Sequence, residues 1–283
     1  MTDPEIFDRA ARRLRRDRAA HDYGEHDFLR RHMLDILDDR LAAVTRRFAD
    51  VLDLGSHDAS WTPPVDARVA RLDAGWCWAR RSGGVQGDED RLPFADASFD
   101  LVVSAGVFDQ VNDVPGALTL ARRVLRPDGL FLAAFVGAGS LPRLRAALLA
   151  GEAERPAARL HPHIDVRSAG NLLVRAGFAL PVADVEAVSV RYRDLFGLIR
   201  DLRGMAAANL LRGRVPLSRE ALARASAAFA EGADADGRVT ERFEIITLTG
   251  WAPAPSQPRP ARRGSATTSL AAALKPGGEQ PPG

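Results

Sequence analysis

The stretch that most limits what this chain can become runs from residue 99 to residue 136. "FDLVVSAGV" (99–107) is almost wholly apolar, and so is "LFLAAFV" (130–136). A strand apolar along its whole length needs cover on both faces, as inside a parallel sheet. Between the two, "VPGALTLARRVLRPDG" (114–129) puts Val114, Ala117, Leu118, Ala121, Val124 and Leu125 on one helical face and stops at a Pro-Asp-Gly turn. Strand, helix and strand with a right-handed crossover make a parallel α/β unit.

The rest of the chain extends that unit in both directions. "VLDLG" (51–55) and "VARLDA" (69–74) read as earlier strands, each ending near an acid or a glycine. Helices are expected at 140–154 and 168–176, then a strand at "ALPVADVEAVSVRY" (179–192). Residues 194–211 are amphipathic, with Leu195, Leu198, Ile199, Leu202 and Met205 on one face. "SREA" opens a helix over 218–231, with Ser218 as its cap and Glu220 close behind. "RFEIITLTGWAP" (242–253) then closes the sheet, so the two late strands form an antiparallel edge pair. Residues 1–48 read as a charged helical cap with apolar points at Phe28, Leu29, Leu34, Ile36, Leu37 and Leu41. The main domain spans 49–252, and the Pro-rich text over 253–283 is expected to be a largely disordered tail.

Composition removes several functions. Cys77 is the only cysteine, which excludes a disulfide scaffold and a paired-cysteine zinc site. The 39 basic and 37 acidic residues leave a formal charge of +2. Lys275 is the sole lysine; the high isoelectric point comes from arginine, which does not titrate near neutrality, and points to no nucleic-acid partner. The longest apolar run, 130–139, is too short to cross a bilayer, so no transmembrane segment is expected. The N-terminal stretch lacks an apolar signal core, and with a single thiol this predicts a reducing, cytoplasmic setting. Arg9, Arg12, Arg13, Arg15, Arg16 and Arg18 could dock on an acidic partner or a peripheral membrane face, or form a solvated helix face balanced by nearby acids.

The motif order resembles class I S-adenosylmethionine (SAM)-dependent methyltransferases: "VLDLGSHDAS", then "RLDA", then "GDEDRLPFADASFDLVVSAGVFDQVNDVPGALTLARRVLRPDGLFLAAF". "VNDVPGAL", "RAGFALPVADVE", "VRYRDLFGLIRDLRGM", "DGRVTERFEIITLTGWAP" and "RPARRGSATTSL" are similar to the mitochondrial complex I assembly factor 5 family and its bacterial relatives, over about residues 7–270. The resemblance implies a Rossmann-like seven-stranded α/β sheet, with N-terminal helices and a helical insertion at about 194–232 before the last strand. It implies SAM as cofactor and a protein substrate, a respiratory complex I subunit being the candidate, modified by methylation or arginine hydroxylation. The alternative is a non-catalytic assembly scaffold with an eroded SAM site.

By motif matching, the cofactor-binding residues are Asp53 and Gly55 at the first loop, Asp73 for the ribose, Asp88 or Glu89 for the adenine, and Ser104 at the end of the fourth strand. The bland readings are that Asp53 and Asp73 cap strand ends and that residues 88–90 form a solvated turn. The loop departs from the family pattern: only Gly55 remains, and His57 and Ala59 stand where later glycines are expected. Pro63 and Pro64 oppose the helix that would follow. Asp109 and Gln110 replace an aromatic before "VND", and no catalytic residue is assigned. Asn112 and Asp113 are expected to cap the next helix. "HPHID" offers His161, His163 and Asp165, but alternate residues around Pro162 make a poor metal triad, so no metal is assigned. Arg191 and Tyr192 are candidate substrate contacts.

Overall fold

A computed structural model describes residues 5–152 and 157–258; residues 259–283, including "RPARRGSATTSL" and most of the Pro-rich tail, lie outside the described residues. The described helices are α1 (Arg9–Ala19), α2 (Phe28–Ala42), α3 (Trp76–Arg81), α4 (Val114–Val124), α5 (Pro142–Gly151), α6 (Val166–Arg175), α7 (Leu195–Gly204) and α8 (Arg219–Ala230). The strands are β1 (Asp50–Leu54), β2 (Arg68–Asp73), β3 (Val85–Gln86), β4 (Phe99–Ala105), β5 (Leu125–Val136), β6 (Ala179–Tyr192) and β7 (Val239–Trp251). They make one seven-stranded sheet in the order β3-β2-β1-β4-β5-β7-β6. The first five strands run parallel, and β7 runs antiparallel between β5 and β6. The chain moves outward from β1 to β3 and then returns to β4 on the other side of β1. That reversal opens a crevice at the carboxyl ends of β1 and β4, where open α/β sheets bind ligands.

Alternation along the central strands explains their unbroken apolar text. Val51, Leu101, Val103, Leu130 and Leu132 pack on one face, under residues of α2, α5, α7 and α8. Leu52, Leu54, Val102, Phe131 and Ala133 pack on the other, under α4 and α6. Residues through Pro253 form one compact unit, so the N-terminal helices are not separated from the sheet.

Three local expectations are corrected. The Pro-Asp-Gly text does not end α4: the helix stops at Val124, and Leu125 already pairs with Phe99. The register then slips before Leu101, with Asp128 at φ 63°, so the text is an irregularity inside β5. The amphipathic run after β6 is helical only to Gly204, because Ala206 at φ 60° turns the backbone out of the helix. The helix expected over 140–154 starts only at Pro142, after Leu141 at φ 59°. No helix among the described residues is long and apolar enough to cross a membrane.

Candidate functional site

The loop after β1 turns through three residues of positive φ, of which one is glycine. Gly55 has φ 79°, and a Cβ there would lie 2.5 Å from Val107 Cγ1. His57 and Ala59 also adopt positive φ, 48° and 57°. A side chain in that region costs roughly 1–2 kcal/mol. His57 is held by its ring Nδ1 against the Gly55 carbonyl at 2.7 Å and by its N–H, which donates to Asp73 at 3.0 Å. No helix follows; the chain runs as turns through Pro63 and Pro64 to β2.

The expected site residues do converge on the carboxyl edge of the sheet, but other parts of this chain have taken most of their hydrogen bonds. Arg9, Arg12, Arg13 and Arg16 recur at helical spacing on one side of α1. Arg16 Nε donates to Asp73 at 2.8 Å and Nη2 donates to the other oxygen, with both side chains fully buried. Asp73 also accepts the N–H groups of His57 and Gly75. Burial acts to raise the Asp73 pKa, but the Arg16 charge and these hydrogen bonds outweigh it, and the net shift is downward. Arg12 forks onto Glu89 at 2.6 and 2.7 Å. Arg13 reaches Asp88 at 2.8 Å, and Arg9 forks onto Asp90 at 2.7 Å. Ser104 donates to the Leu54 carbonyl at 2.8 Å.

Aromatic groups and a second helix pack against the same loop. Tyr23 lies against His57 and Trp78, with ring centroids 5.2 and 5.0 Å apart. Arg30 of α2 donates to the Ser56 carbonyl at 3.1 Å and to Ser60 at 2.9 Å. A Cβ on Gly75 would stand 2.9 Å from Arg16 Cβ, which shows how closely α1 approaches the start of α3. Asp53 is 2% exposed and one of its oxygens has no hydrogen-bond partner. Burial pushes its pKa up to about 6, with Arg30 and Arg71 pulling against that.

SAM would ask Asp73 for two hydroxyl hydrogen bonds and the 88–89 region for an amine contact. Asp73 and Glu89 have both oxygens bonded and lie buried beneath α1, while buried Asp88 keeps one oxygen without a partner. The ribose carboxylate is therefore already taken, and the residues present do not fit SAM in this arrangement. This α1 contact was missed in the sequence, although a signal existed: arginines at 9, 12, 13 and 16 form a charged stripe, and Asp88, Glu89 and Asp90 are a triplet of opposite sign.

Other expectations divide. Asp113 caps α4, accepting from Gly116 N–H at 2.8 Å. Asn112 instead clamps Phe7, accepting its N–H at 2.7 Å and donating to its carbonyl at 3.1 Å, which pins the segment leading into α1. Tyr192 is packed in the core, and Arg191 is paired with Asp234 and Asp236 on the surface, so neither is placed as a substrate contact. Asp165 does not join the histidines near it; it caps α6 through Ser168 N–H at 2.9 Å. The group that does assemble is Asp109 with His161 and His163.

A methyltransferase-domain family matches residues 64–133. Among solved structures, YcgJ of Bacillus subtilis superposes with a TM-score of 0.55 at 17% identity, covering 79% of this chain and 99% of that one. At that identity the likeness shows the fold, a class I methyltransferase fold. The mitochondrial arginine-hydroxylase NDUFAF5 of Danio rerio is 36% identical over 94% of this chain and 88% of the relative. The Homo sapiens protein of the same name is 34% identical over 98% and 86%. A malonyl-[acyl-carrier protein] O-methyltransferase of Laribacter hongkongensis is 32% identical over 92% and 94%. The chain belongs to the class I SAM-dependent methyltransferase family, on the branch related to NDUFAF5.

Proposed function

We propose that this chain is a protein-directed assembly factor on a methyltransferase fold, with a respiratory complex I subunit as its partner, whose cofactor cleft is closed by its own α1. The observation that carries this is the two-pronged Arg16–Asp73 contact at zero exposure. The carboxylate that would hold a ribose has become part of the fold's interior, as the scaffold alternative expects. The partner class rests on the resemblance to the complex I assembly factor 5 family, with the NDUFAF5 relatives named as arginine-hydroxylases.

A second reading keeps SAM-dependent modification of a protein, supported by the methyltransferase-domain match and by relatives named as methyltransferases. It requires α1 to leave the cleft. Calorimetry of the full chain with SAM separates the two. The first reading expects no binding at millimolar SAM, and complex I assembly restored in a deletion strain by a chain carrying Arg16→Met with Asp73→Asn. Micromolar SAM binding that is lost in Asp73→Asn, with failed assembly, would replace it by the second.

A further inference from the structure

We propose that Asp109, His161 and His163 form a two-histidine, one-carboxylate site for a divalent transition-metal ion at the carboxyl end of β4. The inference stands on geometry alone and does not depend on the proposed function. Asp109 lies in the short turn after β4 (Phe108–Gln110), and the two histidines lie in the segment before α6. One ligand atom from each lies within 4.8 Å of the others.

Two of these groups have unspent polar atoms in a buried place. Asp109 is 8% exposed, and its Oδ1 has no hydrogen-bond partner. His163 Nδ1 is also buried without a partner. A carboxylate oxygen buried without a partner has lost its water and gained nothing in return, so such an atom needs an explanation.

His161 is the third donor. Its Nε2 accepts the Leu210 N–H at 2.9 Å. A nitrogen holding that bond has no lone pair left for an ion, so recruiting Nε2 requires Leu210 to let go. Metal–ligand bonds of about 2.1 Å place neighbouring donors about 3–3.5 Å apart. The three atoms, all within 4.8 Å of one another, must therefore draw together by at most about 1–2 Å. The donor set suits Fe²⁺, Co²⁺ or Zn²⁺ and leaves coordination positions open. Both histidines line a cavity of about 460 Å³, so an ion would be reached through it. Arg15 and Arg203 line the same cavity, and a further ligand on the ion there would be anionic.

The test is titration of the full-length, metal-stripped chain with Co²⁺ and with Zn²⁺, read by calorimetry and by the visible Co²⁺ spectrum. One ion per chain at micromolar affinity is expected, with nitrogen–oxygen ligand-field bands. Asp109→Asn and His163→Ala weaken binding by more than about tenfold. His161→Ala weakens it too, and the Leu210 amide of the wild type exchanges faster once metal is bound. Asp165→Asn, at the cap of α6, leaves binding unchanged. Circular dichroism confirms that each variant is folded, and His163→Gln serves if the alanine variant is not. Absence of micromolar binding by the wild type, or wild-type affinity in Asp109→Asn or His163→Ala, overturns the proposal.

Discussion

Replacing Arg16 by methionine keeps most of the side-chain volume and removes the charge. Asp73 then stays fully buried, with the His57 and Gly75 amides as its remaining donors. Breaking a buried ion pair by removing one partner typically costs 3–5 kcal/mol. The two amides still solvate the carboxylate, so the lower end applies, about 3 kcal/mol. Asp73→Asn in the native background removes the charge Arg16 needs and should cost a similar amount. Added to Arg16→Met, however, it should restore about 1–2 kcal/mol: no charge is left buried, and the residual penalty is one amide without an acceptor. The second substitution thus changes sign with the first, a coupling that a double-mutant cycle reads directly from urea unfolding. Acid should separate the variants as well. The Asp73 pKa is depressed in the fold, so its contribution is present above the ordinary carboxylate range and is lost as pH falls through the folded value. The native chain should lose stability below about pH 4, and the double variant should lose less. An Arg16→Met cost below about 1 kcal/mol, or Asp73→Asn equally harmful in both backgrounds, would refute the buried-pair account.

Three further outcomes follow from the same loop. Asp53 holds its proton up to about pH 6, above the unfolded value, so its contribution to stability falls as pH rises between about 4 and 6, by about 3 kcal/mol; Asp53→Asn should abolish that fall in unfolding curves measured across the window. Gly55→Ala should destabilise by more than about 2 kcal/mol, since it combines a positive φ with a 2.5 Å approach to Val107, and Val107→Ala should recover part of the loss in a thermal melt. Ala59→Gly should stabilise by about 0.5–1 kcal/mol by relieving its left-handed backbone, and an unchanged or lowered denaturation midpoint would count against that conformation.

The architecture was legible because it is written in local periodicity. Apolar runs at 99–107 and 130–136 need two covered faces, and the structure supplies them. The late pair β6 and β7 was readable for the same reason, and Pro63 and Pro64 correctly denied a helix after β1. Helix ends were read less well. Ala206 and Leu141 take positive φ at their helix ends, a conformation neither residue type signals.

The candidate site divides along a similar line. Asp53, Gly55, Asp73, Asp88, Glu89 and Ser104 could be placed on the sheet's carboxyl edge because strand order and motif spacing are one-dimensional. Which groups their side chains would meet was decided by contacts across long stretches of chain: Arg16 with Asp73, Arg12 with Glu89, and Asp109 with His161 and His163. By itself the sequence determined the sheet, its crossovers and its ligand-binding edge. Only the tertiary structure decided that α1 lies in the crevice, because an arginine stripe looks alike whether it faces water or a buried carboxylate. The difference is the burial that brings opposite charges together and makes their separation costly.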